Sequence, residues 1–131
     1  MNGKRIDFVA DTSAIVHLCR RNPQVQEIVR DKHFAITFVT MAELTLGVLK
    51  ANNPNAAWSQ VAEVLRDQTI FHVSIKTPAL YARIFFDLEQ RGVKIPVNDV
   101  WIAALAIESG LPLLARDEHF SRVSGLTVIQ C

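Results

Sequence analysis

Short apolar runs alternate with longer stretches of helical period along the whole chain. IDFVA (6–10) predicts a buried strand, and DTSAIVHLCRR behind it predicts the start of a helix. Pro23 opens a second, short helix on which Val25, Ile28 and Val29 recur at helical spacing. FAITFV (34–39) predicts the next strand and TMAELTLGVLKA (40–51) a major helix, ended by the breaker cluster Asn52, Asn53, Pro54 and Asn55. A helix over 56–67 and a strand at IFHVS (70–74) follow. Thr77 as a cap, with Pro78 in the first turn, predicts another helix that Gly92 closes. A last helix runs from about Asp99 to Glu108 and stops at Gly110, and LPLLA (111–115) and LTVIQ (126–130) complete the strands. Strands separated by helices pair in parallel through crossovers, with helices on both faces of the sheet. Continuously apolar strands fit a sheet covered on both sides. The expected class is α/β.

Length and composition narrow the picture. A chain of 131 residues suits a single domain over 1–131, large enough to bury a core without disulfides or a structural metal. Cys19 and Cys131 form no CxxC pair. Lys4 and Arg5 precede an apolar stretch that Asp7 and Asp11 interrupt, so no signal peptide is expected. No apolar run approaches the ~18 residues of a membrane span. The expectation is a soluble cytoplasmic protein without membrane association. A net charge of +1 gives no strong global field, so a polyanion would have to meet a local patch. A mean hydropathy of +0.19 is high for a small monomer, which fits a buried sheet, a partner interface or both.

Four acids fall in comparable places. Asp11 follows the first strand directly, Glu43 is expected in the first turn of the helix after the second, and Asp117 comes two residues after the fourth. Asp99 opens the helix that leads back to that strand. Each has a structural use: Asp11 as an N-cap, Thr40-x-x-Glu43 as a capping box, Asn98 or Asp99 as a cap, Asp117 in a turn. Together they gather at the carboxyl edge of the sheet, where α/β folds collect ligands. Carboxylates that close repel one another and raise each other's pKa, which a divalent cation relieves. All-oxygen ligands select magnesium or manganese over zinc. Of the four histidines only His119 lies near these acids, and none has zinc-ligand spacing.

VADTSAIVHL, VTMAEL, IPVNDVWIAALA and LLARDEHF, in that order, resemble the PIN-domain proteins, and among them the VapC-type toxins of toxin–antitoxin pairs. The resemblance spans nearly the whole chain, and NDVWIAA is its most specific part. It implies a three-layer α/β/α sandwich with a central, mainly parallel sheet. It also implies a metal-dependent endoribonuclease using Mg2+ or Mn2+, with a cognate antitoxin and RNA as partners. The family's acidic quartet maps onto Asp11, Glu43, Asp99 and Asp117, and its hydroxyl positions onto Thr12 and Ser13. Many relatives carry Thr, Ser or Asn ahead of the last acid, whereas this chain has Ala115-Arg116-Asp117, a polar support fewer for Asp117.

In such a site a divalent ion activates water and neutralises phosphate and leaving oxygen. Arg116, next to Asp117, is the best-placed cation for RNA, with Arg20, Arg21, Lys50, Lys94 and Arg122 as further candidates. Trp101 reads as core. Helices carrying Trp58, Val61, Leu65 and Tyr81, Phe85, Phe86 are expected to supply a homodimer and antitoxin surface, or else simply to cover the sheet. The alternative function is a non-catalytic PIN-like domain that binds RNA or a partner without cutting.

Overall fold

The structure, a computed structural model, describes residues 5–131; Lys4 of the basic pair lies outside the described residues. Five parallel strands form one sheet in the order β3-β2-β1-β4-β5. Strand β1 (Phe8–Ala10) is wholly buried and pairs with β2 (Phe34–Thr37) on one side and β4 (Leu113–Ala115) on the other. β3 (Thr69–Phe71) and β5 (Val128–Gln130) form the edges. Successive strand residues face opposite sides. Phe8 and Ala10 therefore join Phe34, Ile36 and Leu114 beneath α1 (Thr12–Cys19), α2 (Pro23–Val29), α3 (Phe38–Lys50) and α4 (Pro54–Leu65), through Ile15, Val25, Leu44 and Val61. Val9, Leu113 and Ala115 face the other way, onto Ile102 and Ala106 of α6 (Val97–Ser109) and onto Phe120. Ile84 and Leu88 of α5 (Thr77–Gln90) pack on the outer side of α6 against Val100, Ala103 and Ala104. The result is the α/β/α sandwich the sequence implies. Among the described residues no helix is long and apolar enough to cross a membrane.

Several boundaries differ from the sequence reading, each for a local reason. The apolar run 34–39 is not one strand, because β2 ends at Thr37, whose hydroxyl caps α3 by accepting from the Thr40 N–H at 3.2 Å. Phe38 and Val39 are helical residues that pack on the sheet, so hydrophobicity runs unbroken through the strand–helix junction. Thr40 is thus inside α3 and caps nothing, and Glu43 stands in its second turn rather than its first. Thr77 is not a cap either. Lys76 holds that position without a side-chain bond, while the Thr77 hydroxyl accepts from Ser74 N–H at 2.8 Å and donates to Glu108 at 2.5 Å. β3 is an exposed edge strand rather than a buried one. α6 begins two residues before Asp99, with Pro96 at the cap position and no side-chain cap bond, so neither Asn98 nor Asp99 is spent on capping.

Candidate active site

The sheet's connections run from β1 to β2 on one side and return to β4 on the other, so the chain order reverses beside β1. Crevices at such switch points, beyond the carboxyl ends of strands, are where parallel α/β sheets place ligands. The Asp11 N–H donates to the Leu114 carbonyl at 2.8 Å, which holds this first residue after β1 alongside β4. Asp11 is buried, and its Oδ2 accepts from the Ser13 hydroxyl at 2.7 Å and the Ser13 N–H at 3.3 Å. It therefore does cap α1, as the structural reading of the sequence allowed. Burial nonetheless holds its carboxyl above the ordinary carboxylate range; the Ser13 and Thr12 hydrogen bonds pull it down, and the Glu43 charge pushes it up again.

Glu43 comes from the opposite side of the crevice. Thr12 Oγ1 donates to its Oε1 at 2.5 Å and also hydrogen-bonds with the buried Thr40 hydroxyl at 3.0 Å. Asn98 donates to the other oxygen at 3.4 Å. Both hydroxyl residues after Asp11 are thus engaged with acids: Thr12 with Glu43, Ser13 with Asp11. Ser13 Oγ also accepts from the Arg116 N–H at 3.4 Å, tying α1 to the end of β4.

Asp99 projects from the first turn of α6, its side chain 16% exposed. Its carboxyl is pushed up to about 6, first by burial and then by the negative charge of Asp11, with Glu43 adding to the push and His119 opposing it. Asp11, Glu43 and Asp99 therefore act on one another across the crevice. Asp117 joins them indirectly. It is more exposed, caps the 3-10 turn Glu118–Arg122, and meets His119 Nδ1 at 2.9 Å, while His119 Nε2 contacts Asp99 Oδ2. An imidazole with a carboxyl on each nitrogen either carries both ring protons or faces one protonated acid, and Asp99 is the acid poised to hold that proton.

The structure thus sets three of the sequence-predicted acids, Asp11, Glu43 and Asp99, around one crevice with Thr12 and Ser13, and links Asp117 to them only through His119. The Arg116 backbone reaches the site, but the charge of its side chain bears on His17 of α1 and on Cys131. His119 is the participant whose role sequence reasoning missed. Its position two residues after Asp117 reads as part of a turn, and its contact with Asp99, twenty residues away, has no sequence signature. Thr40, read as half of a capping box, instead supports Thr12. Trp101 is half-buried and stacked on Tyr81 at 4.1 Å, as a core residue should be. As the side chains stand, no three carboxylate, imidazole or thiol groups among the described residues converge tightly enough to enclose one ion.

Comparison with known proteins gives this arrangement its class. Residues 8–126 match the family model of the PIN domain, and the chain belongs to the PIN-domain family. It is similar to Ribonuclease VapC5 of Mycobacterium tuberculosis, 30% identical over 124 residues that cover 93% of this chain and 91% of that one. It is also similar to Ribonuclease VapC1 of Rickettsia felis, 30% identical over 126 residues covering 93% and 94%. Among solved structures, VapBC2 from Rickettsia felis bound to a DNA fragment from their promoter superposes with a TM-score of 0.86 at 25% identity, covering 95% of this chain and 98% of that one. VapBC-5 from Mycobacterium tuberculosis, a member of the VapBC family of toxin–antitoxin systems, gives a TM-score of 0.79 at 28% identity over 97% and 100%.

Proposed function

We propose that this chain is a VapC-type endoribonuclease, the toxin of a toxin–antitoxin pair, which hydrolyses RNA phosphodiester bonds with the help of Mg2+ or Mn2+. One observation carries the reading: Asp11, Glu43 and Asp99, brought from three separate elements, press their charges on one another in a half-buried crevice. A fold spends stability to hold like charges together only where something neutralises them in use. The donor set is oxygen throughout, which fits a hard divalent ion. Asp11, Glu43 and Asp99 would hold it, with Asp117 as the outermost oxygen, once Asp99 gives up its contact with His119. Such an ion supplies charge for the phosphate and the leaving oxygen and a more acidic water.

The protein's own groups do the rest. The Ser13 hydroxyl and N–H fix the Asp11 carboxylate. Thr12 holds one oxygen of Glu43, and the other, which accepts from Asn98, keeps a lone pair to orient a water or accept a proton. Carboxylates spread around the crevice repel an incoming phosphodiester, so cations at its rim must oppose them, and Arg116 is the sequence-predicted candidate. A cognate antitoxin and a second copy of the chain complete the assembly, and the family similarity to VapBC structures supports the first. The expected outer helices do keep apolar groups in solvent, Trp58 and Phe86 among them, although Val61 is spent on the core.

The deciding experiment is cleavage of a sensitive RNA in magnesium, manganese and chelator by the parent chain and by Asp11→Asn. Cutting that needs the ion and disappears in the variant is expected. A chelator-resistant activity that survives repurification, or an Asp11→Asn protein as active as the parent, defeats the assignment.

A further inference from the structure

Nine arginines are present, and most are spoken for. Arg5, Arg30, Arg66 and Arg91 make ion pairs, and Arg122 donates to the Lys94 carbonyl. Among the described residues Arg20, Arg21, Arg83 and Arg116 have no carboxylate partner. Three of these four gather around α1, and two of them frame one face of it.

Ser13, His17 and Arg20 lie at i, i+4 and i+7, so they share that face from the first turn of α1 to its C-cap. Ser13 touches Asp11 at one end and takes the Arg116 N–H at the same place. The backbone of Arg116 is tied to this face at Ser13, and its charge, with that of Arg20, bears on His17, whose imidazole is held below its usual range by desolvation and by both arginines. Arg116 Nη1 is buried without a hydrogen-bond partner among the described residues. A buried donor left open costs about 1–3 kcal/mol, and a charged one more, unless a partner arrives. The Ser13 hydroxyl proton is committed to Asp11, which leaves the imidazole and the two guanidiniums as the donors this face offers an anion.

We propose that the Ser13–His17–Arg20 face of α1, together with Arg116, is a track for the phosphates of single-stranded RNA leaving the acid crevice. This rests on the nuclease reading above and specifies which surface the substrate follows. Arginine forks suit phosphate oxygens. A helix face with donors every turn gives contacts to successive phosphates without reading bases, so the track supplies affinity and direction rather than sequence preference.

The test is fluorescence anisotropy of a labelled oligouridylate across a salt series, in chelator so that metal-dependent cutting is off. The proteins are the parent, Arg20→Gln, Arg116→Gln and Arg83→Gln, each checked for an intact fold by circular dichroism. Each lost phosphate contact should lower the slope of log affinity against log salt by about 0.7 for a single strand. Arg20→Gln and Arg116→Gln should each show that loss, with several-fold weaker binding. Arg83→Gln, which removes the same charge from α5, should bind as the parent does. Should Arg116→Gln misfold, the exposed Arg20 carries the test alone. Unchanged slopes in Arg20→Gln, an equal loss in Arg83→Gln, or no binding by the parent overturns the track. Cleavage measured in parallel separates the two ideas. A parent that never cuts RNA but shows the slope losses keeps the track and removes the nuclease, and a cutting enzyme with unchanged slopes does the reverse.

Discussion

Replacing Asp99 by asparagine should make the metal-free protein more stable relative to the parent as the pH rises. The Asp99 carboxyl stands at about 6 in the folded chain against an ordinary value of 3.8. At 1.36 kcal/mol per pH unit, that rise is worth about 3 kcal/mol when fully expressed. The sign follows from linkage. A raised folded value favours the fold while the group is protonated, below about 4, and the advantage is lost as the pH climbs through about 6. Between about pH 4.5 and pH 7.5 roughly 2 kcal/mol of this is expressed, and solvent at the exposed part of the side chain trims it to about 1–2 kcal/mol. For a chain of this size the difference in Tm, variant minus parent, should therefore grow by roughly 4–8 °C over that interval. Asparagine keeps the shape and can still accept from His119, but gives up a charge near the α6 N-terminus worth about 0.5 kcal/mol, a cost also greatest at high pH and smaller than the gain. Thermal melts in chelator at both pH values, followed by circular dichroism, measure the effect. Using the difference cancels groups such as Glu108, whose hydrogen bonds from Ser74 and Thr77 lower its pKa and give the opposite trend. Repeating the pair in a His119→Gln background removes the imidazole's own response. A variant-minus-parent Tm that stays flat or falls with pH would refute the claim that burial and Asp11 strain this carboxyl.

Magnesium should raise the Tm of the parent at pH 7.5, by about 2.7 kcal/mol of stability at a hundredfold excess over Kd, and raise that of Asp99→Asn much less; equal shifts would place the ion elsewhere. Thr12→Val, which breaks the Glu43 and Thr40 bonds with little change of shape, should lower kcat more than it raises KM in steady-state cleavage, and an unchanged kcat would show that Glu43 needs no such support. Phe120→Ala should cost about 3–5 kcal/mol by denaturant melt, because this fully buried ring anchors the turn bearing Asp117 and His119. The purified chain should scatter light as a dimer at tens of micromolar, and a monomer there would assign its exposed apolar helices to the antitoxin alone.

The order of strands and helices was legible because every central strand is short and wholly buried, while the helices carry periodic faces and most of them a side-chain cap. Boundaries were less so at Phe38 and Val39, where strand and helix both bury their residues and the hydrophobic pattern has no seam. β3 was misread because IFHVS is apolar enough for a core strand, and its place at the edge depends on strand order, which periodicity does not carry. For Asp11 and Asp117 sequence position led to the crevice, since a residue just past a parallel strand has little choice of direction, whereas Glu43 and Asp99 were joined to them by the ordered motifs of the family resemblance. What could not be read was their support. The missing polar group at Ala115, itself fully buried among apolar neighbours, is offset by His119, which holds Asp117 from two residues further on and joins it to Asp99. The Arg116 side chain was likewise unpredictable, because its adjacency to Asp117 is a fact of the backbone, while its charge bears on His17 of α1 and on Cys131.

The position of β4 has a consequence for how the protein comes into being. A strand made about a hundred residues after β1 is the one that closes β1's second edge and brings Asp117 to Asp11. At roughly 5–20 residues per second, synthesis leaves that edge open for about 5–20 s. Over this time the growing chain gains first Glu43 and then Asp99 beside Asp11, but it has no Asp117, no His119 and no Arg116. A polypeptide emerging beside messenger and transfer RNA therefore carries an incomplete crevice until the turn after β4 is made. The window in which it is harmless is also the window in which an unpaired central strand must be kept from wrong neighbours.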